Sequence, residues 1–300
     1  MIHLRTAVVT KLEQLMEKDG SIVLITGDLG FSVLDGIRDR FPERFFNAGI
    51  SEQAMMGIAA GLASRGKKVV VYSIIPFLIY RPYEQIMNDV CYHNLPVILV
   101  GSAEGFSYGN DAISHYALND LSLTLQIQNM DVYAPAEPEE ASAYLEEAIS
   151  NGKPAYIRLS KAKNEHFTIK KEPHDGYLAF SPKSAGMVIT TGSIGMIVER
   201  AVSRLGRNSF GHVHVGRLKP FPSELAEMLD RYETLIAIEE HEQTLGFGRY
   251  LSNFCRRHVD SIGVTNPFER KFGDRNFMLR TKGLDEEGIY IRIRELFKRD

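Results

Sequence analysis

The chain has 300 residues, 44% of them hydrophobic, 10% aromatic and 24% charged, proportions that exclude disordered and fibrous architectures. Its 35 Lys and Arg against 38 Asp and Glu leave a formal charge of −3. The basic excess of nucleic-acid and membrane-surface proteins is therefore absent. At about 150 residues per domain, the length predicts two domains, each able to bury its own core.

The two cysteines, Cys91 and Cys255, lie far apart without a CxxC spacing, which argues against a disulfide framework or a zinc site. The start, Met1-Ile2-His3-Leu4-Arg5, enters an amphipathic pattern in place of a signal peptide. No apolar run approaches the length of a bilayer span. These features predict a reduced, cytoplasmic protein.

Short Val- and Ile-rich runs predict strands at Ile22–Thr26, Val69–Ser73, Val97–Val100, Val132–Ala134 and Ala155–Leu159. Helices are predicted between them at Thr6–Lys18, Glu52–Ser64, Arg81–His93, Asn119–Gln128 and Glu137–Ser150. The last opens with Glu137, Glu139 and Glu140, acids that suit the positive end of a helix dipole. A polar, punctuated stretch then reads as a linker with little core of its own, over 164–184. The alternation restarts with strands at Met187–Thr191, His212–Val215 and Leu235–Ile238. Helices are predicted near Gly195–Leu205, Ser223–Asp230, Arg249–Arg257 and Glu286–Lys298. The expected fold is α/β, two doubly wound domains over 1–163 and 185–300, each a mostly parallel sheet covered on both faces.

Several chemistries are disfavoured. No Walker loop occurs, and Gly246-Phe247-Gly248 lacks the third glycine of a dinucleotide fingerprint. His212 and His214 share one strand face without a third ligand, so core or surface histidines fit better than a metal pair. Cys255, predicted in a helix and followed by Arg256, Arg257 and His258, has no oriented base and reads as structural.

The informative segment is Asn47-Ala48-Gly49-Ile50-Ser51-Glu52-Gln53, which opens a helix that is apolar on every side and carries Gly57 and Gly61. A helix without a polar face belongs in an interior or a large interface. An acid at its mouth, Glu52, has a plain reading as a dipole partner. The run from Asn47 to Ala63 also resembles the pyrimidine-binding domain of transketolases and deoxyxylulose-phosphate synthases. The resemblance continues through Arg81-Pro82-Tyr83-Glu84-Gln85-Ile86, Asp111 to His115, Ile157 to Lys161, Thr190 to Ser193 and Ile238 to His241.

This resemblance implies thiamine diphosphate as cofactor. Glu52 would share a proton with a nitrogen of its aminopyrimidine ring, and desolvation by Ala54, Met55 and Ile58 would raise its pKa. It further implies Phe77 stacked on the pyrimidine with Tyr80 close by, and Asp28 near the thiazolium at the carboxyl edge of the sheet. Asp111 and His115 would meet the sugar hydroxyls, His115 as the proton-handling group. Arg5, Ser32 and Lys161 fall at the sugar-phosphate positions, with lysine in place of a forked arginine. Two departures stand out. The family's cation at the 103–104 position is replaced by Ala103 and Glu104, and the loop reads Asp111-Ala112-Ile113-Ser114-His115.

No GDG motif for the diphosphate and Mg2+ occurs. The expectation is thus the C-terminal subunit of a split transketolase moving a two-carbon ketol unit between ketose and aldose, with an unusual sugar as one option. An N-terminal diphosphate-binding subunit would supply the metal ligands, and a homodimeric contact would give an α2β2 assembly. The alternatives are a 2-oxo acid dehydrogenase beta subunit, a deoxyxylulose-phosphate-synthase-like enzyme, or a non-catalytic assembly half.

Overall fold

The computed structural model describes residues 3–30, 32–161, 166–169, 171–180, 184, 186–205 and 210–297. The strands are β1 (Ile22–Thr26), β2 (Phe45–Asn47), β3 (Lys68–Ile74), β4 (Val97–Ser102), β5 (Asp131–Tyr133) and β6 (Ala155–Leu159). They continue with β7 (Glu172–His174), β8 (Tyr177–Phe180), β9 (Gly186–Thr190), β10 (Phe210–Val215), β11 (Arg217–Lys219), β12 (Thr234–Glu242) and β13 (Val259–Val264). They build two sheets, ordered β11-β5-β6-β4-β3-β1-β2 and β13-β12-β9-β10-β8-β7.

In the first sheet β1 to β6 run parallel, with Leu24 beside Val70, Val70 beside Ile98 and Ile98 beside Ala155. Helices on both faces leave no wet side, which is why β1, β4 and β6 are buried at every position. The helices Leu4–Lys18 and Pro138–Asn151 cover one face through Leu4, Val8, Leu12, Met16, Ala141 and Leu145. The second helix has Pro138 in its first turn, a reciprocal Glu137–Glu140 capping box, and Gly152 in the left-handed conformation after its end. On the other face a single apolar cluster runs from Met55, Ile79 and Leu121 to Val213, Leu225 and Phe247, so the two sheets share a core.

Three expectations are corrected. The segment expected as a linker contains the β7–β8 hairpin, whose Tyr177, Leu178, Ala179 and Phe180 are all buried against β10. Its lysines and prolines hide a short apolar run that supplies an edge to the second sheet. The helix expected over Arg81–His93 begins earlier, at Pro76, and widens into π-type turns at Pro76–Tyr80 and Ile86–Cys91. Pro82 removes one backbone donor between them. The helix expected over Arg249–Arg257 is shorter, Phe247–Leu251, and Cys255 lies beyond it with burial pushing its thiol up to about 11. His212 and His214 are buried side by side in β10. Among the described residues no helix is long and apolar enough to cross a membrane.

The strand β11 comes from the second half of the chain yet pairs with β5 of the first sheet. A second link is polar. The guanidinium of Arg158, 2% exposed, donates to Asp120 and Glu104, each at 2.7 Å, and to the Glu240 carbonyl at 3.2 Å. Glu104 also accepts from the Ser193 amide at 2.8 Å, and Arg275 pairs with the Glu240 carboxylate. Every buried charge in this cluster has a partner of opposite sign, the condition under which buried ions are tolerated.

Candidate active site

Strand β1 ends at Thr26, and the chain turns at Asp28 with φ of 55°. Asn47, at the end of neighbouring β2, holds that turn. Its side-chain oxygen accepts from the Asp28 and Gly49 amides at 2.9 and 3.0 Å, and its amide donates to the Asp28 carboxylate at 3.0 Å. One side chain thereby fixes both Asp28 and the entrance to the Glu52–Ser64 helix.

Glu52 opens this helix and is 5% exposed. The expected apolar wall is only partly present. Met55 is buried, but Ala54 is exposed and Ile58 is 48% exposed, on a stripe with Gln53, Gly57 and Gly61. A cation faces the carboxylate instead: Arg81 Nη1 donates to Glu52 Oε1 at 2.7 Å. The same guanidinium lies over the Phe77 ring, 3.9 Å from its centroid. An opening of about 420 Å³ is lined by Ile50, Ser51, Glu52, Gln53 and Arg81.

Phe77 is half-buried and meets the His115 ring edge to face, with centroids 5.1 Å apart. His115 stands on a short turn, and its Nδ1 is 2.9 Å from the Ser114 hydroxyl. Tyr108 flanks the same imidazole at 5.8 Å and carries the Lys161 ammonium 4.0 Å above its own ring. Asp111 is exposed on the preceding turn, and Ala112 between them takes φ of 61°, a conformation glycine adopts freely and alanine does not.

This loop is held from beneath by the second half of the chain. The Phe106 amide donates to Glu240 at 2.8 Å, and the Tyr116 hydroxyl donates to the Gly109 carbonyl at 3.2 Å and lies 3.4 Å from the Lys271 carbonyl. Gly105 has φ of 56°, and a Cβ there would strike the Glu240 carboxyl group, so only glycine fits.

The remaining candidates divide. Burial pushes the Tyr72 hydroxyl up, and Ser102 and Arg5 oppose the rise from close by. A Cβ on Gly30, in the turn that carries exposed Ser32, would lie 3.5 Å from the Tyr72 ring. Arg5 and the Ser32 turn thus lie near Tyr72, while Lys161 lies against Tyr108 beside His115. Tyr80 has partners of its own. Its hydroxyl accepts from the Asn119 amide at 3.1 Å and lies 3.4 Å from the Tyr116 carbonyl, as a brace for that loop. Glu104, expected beside a sugar phosphate, is 1% exposed and engaged by Arg158 and Ser193.

Sequence reasoning assigned no role to Asn47, Tyr72 or Tyr108, and quoted Arg81 only as part of a motif. Their places depend on pairings across the sheet that no local spacing reveals. Among the described residues no three His, Cys, Asp or Glu side chains group as a metal site.

Glu52, Phe77 and the opening beside Glu52 all lie within a stretch that comparison with known proteins matches to a pyrimidine-binding domain. Residues 1–165 match the model of the transketolase pyrimidine-binding domain. The chain is 31% identical over 265 residues to one of the subunits of the apulose-4-phosphate transketolase of Actinobacillus succinogenes, covering 83% of each. It is 31% identical over 276 residues to the 1-deoxy-D-xylulose-5-phosphate synthase of Syntrophus aciditrophicus, covering 88% of this chain but only 42% of that longer protein. A solved split-gene transketolase, an inactive β4 tetramer, superposes with a TM-score of 0.83 at 27% identity, over 98% of this chain and 97% of that one. The chain belongs to the transketolase family, as a pyrimidine-binding domain followed by the C-terminal region.

Proposed function

We propose that this chain is the C-terminal subunit of a split, thiamine-diphosphate-dependent transketolase that transfers a two-carbon ketol unit between a ketose and an aldose. The observation that carries the reading is the run of contacts that links Glu52 through Arg81 to Phe77 and on to His115, beside the opening at Glu52, in a chain that matches the Actinobacillus transketolase subunit along 83% of both lengths. Bound thiamine diphosphate supplies the nucleophilic carbon that carries the two-carbon unit. Glu52 holds and returns a proton at the pyrimidine nitrogen, and Phe77 sets the plane of that ring. Tyr80 braces the loop behind it, and Asp28, fixed by Asn47, faces the thiazolium side.

Asp111 and His115 hold the sugar hydroxyls, His115 moving the proton between substrate oxygens. Arg5, Ser32 and Lys161 receive the distal, phosphorylated end of the sugar, a role that fits the sugar phosphate in the name of the Actinobacillus relative. The diphosphate and Mg2+ are held by a separate N-terminal subunit, and two copies of each chain form an α2β2 enzyme. Residues 1–163 are the first domain of this subunit, and the second, which takes in β7 and β8 as well as residues 185–300, positions the Gly105–Ala117 loop.

Calorimetry of the purified chain with thiamine diphosphate, with and without Mg2+, tests the reading. Weak binding, little changed by Mg2+, is expected until the partner is added. Submicromolar, Mg2+-dependent affinity of the chain alone would overturn the split-subunit reading. Glycolaldehyde transfer and 2-oxo acid decarboxylation, assayed side by side on the paired subunits, separate transketolase from the decarboxylase alternative.

A further inference from the structure

A second cavity lies in the other half of the molecule, along β13, the outer strand of the second sheet. Its volume is about 500 Å³, and it is lined by Gln243, Thr244, Arg249, Ser252, Arg257 and His258, with Val259, Ser261 and Thr265 along the strand. That size is within the range of small-ligand sites. The lining holds two arginines, a histidine, four hydroxyls and one amide, and no carboxylate. A lining with two arginines and no carboxylate of its own selects anions.

The donors are largely uncommitted. Arg249 has no hydrogen bond or ion pair within the described residues. Arg257 uses only Nε, on the Asp230 carbonyl at 3.4 Å, which leaves both terminal nitrogens. The Gln243 side-chain oxygen accepts from the Gly263 amide at 3.1 Å, so its NH2 group is left as a donor. Two of the carboxylates nearby are occupied elsewhere, and a third meets only His258 among the described residues. Asp230 pairs with the backbone and side chain of Arg256, and Glu242 caps the Thr244 and Leu245 amides. Asp260 lies 3.5 Å from His258 Nε2, outside the lining.

The Ser252 hydroxyl donates to the Gly248 carbonyl at 3.0 Å, and the lining hydroxyls of Ser261 and Thr265 remain. Two guanidinium forks with hydroxyl donors in the same lining match the several oxygens of a phosphoryl group better than a single carboxylate. The cavity is larger than inorganic phosphate alone requires. We propose that this second-domain cavity binds a phosphomonoester, the phosphoryl group against Arg249 and Arg257 and the organic moiety toward Thr244 and Thr265. The proposal is independent of the role given to Glu52, since none of these residues borders that site.

The test uses thermal unfolding and calorimetry of the full chain with inorganic phosphate, ribose 5-phosphate and adenosine monophosphate, against chloride at equal ionic strength. All three should raise the melting temperature, and whichever phosphomonoester binds tighter identifies the organic part as sugar or nucleoside. The double variant R249A/R257A should weaken binding at least about tenfold, since charge-assisted hydrogen bonds contribute about 1.5–3 kcal/mol each. R249K should keep part of the affinity, and R5A should keep the second-domain signal intact. Binding that survives R249A/R257A but is lost in R5A would place the phosphate at the first site and overturn the proposal. So would the absence of any effect beyond chloride at about 10 mM ligand, a concentration at which sites of millimolar affinity are occupied. A circular dichroism spectrum matching the parent shows that the variants fold.

Discussion

Arg81 Nη1 lies 2.7 Å from Glu52 Oε1, so the carboxylate proposed to meet the pyrimidine ring is already met by a cation of its own chain. Arg81 is 46% exposed and Glu52 5%, so a largely exposed arm reaches a buried acid. Because the same guanidinium covers the Phe77 ring, a ring stacked there has to displace it. The pair is screened by solvent on the arginine side, and such contacts contribute about 0–1 kcal/mol. Arg81→Met keeps the apolar stem and removes the charge. Thiamine diphosphate should then bind the paired enzyme about two- to fivefold more tightly, the equivalent of that energy. A loosening of affinity, measured by calorimetry, would show that Arg81 holds the cofactor and does not compete with it.

Glu52→Gln preserves shape and burial and removes the exchangeable proton. Ketol transfer by the paired enzyme should fall about 10²–10⁴-fold, the usual worth of general acid–base catalysis, with the unfolding midpoint little changed. Retention of more than about a tenth of the rate would reject the role assigned to Glu52.

Strands with continuous Val and Ile runs were legible because both faces of a parallel sheet are buried: β1 and β6 coincide with the predicted residues, as does the Glu52–Ser64 helix. The pieces missed are those whose burial comes from distant partners. Tyr177–Phe180 is hidden among lysines, prolines and a glycine that read as linker, and Arg217–Lys219 pairs with β5 of the other sheet. The same limit applies to the site. Glu52 and His115 stood out as chemistry in a recognisable motif, whereas Arg81 and Asn47 matter through where their side chains reach. Glu104 shows the converse: its position suggested a reversed charge beside the substrate, but Arg158 and Ser193 draw the carboxylate into the junction between the two sheets.

Burial depresses two histidines at and near that junction. His212 is lowered to about 3 by burial and by neighbouring His214. His241 is lowered to about 4, burial outweighing the nearby Asp120 carboxylate. His241 is held neutral by its contacts, since its Nε2 accepts from the Leu121 amide at 3.2 Å while Nδ1 faces the Glu242 carbonyl. Both folded values lie below the unfolded value of about 6.5, so protonation favours the unfolded chain. The stability they contribute is complete above about pH 6.5 and is lost as pH falls toward 4 and 3. Glu239 beside His241 is pushed up to about 7 by burial, so it holds a proton in the folded chain over the same range and opposes one of the two histidines. Denaturant unfolding between pH 7.5 and 5 should therefore show a net loss approaching about 1.4 kcal/mol per pH unit, one proton taken up on unfolding. His212→Gln should lower the slope by about that amount, and an unchanged slope in that variant would reject His212 as one of the groups.

The exposed stripe of the Glu52–Ser64 helix leads to the last expectation. Ile50 is 77% exposed and Ile58 48%, and Ala54, Gly57 and Gly61 share their side of the helix. A Cβ built on Gly57 or Gly61 meets nothing within 4 Å, so the close approach these glycines permit is not used inside one chain. An apolar stripe of this kind at the mouth of the proposed cofactor site calls for a second protein surface, and twofold pairing is the commonest solution. The purified chain should therefore self-associate at micromolar concentration, as the related split-gene transketolase does in its β4 tetramer. Ile58→Arg places a charge where a two-fold mate would bury it, and should shift the chain to smaller species in analytical ultracentrifugation while its circular dichroism stays that of the parent. Slow hydrogen exchange at the Gln53–Gly61 amides in the parent, made faster by the variant, would locate the contact on this helix. A parent that sediments as a monomer at tens of micromolar would leave the stripe free for the N-terminal partner chain, and Ile58→Arg would then abolish pairing with that partner in its place.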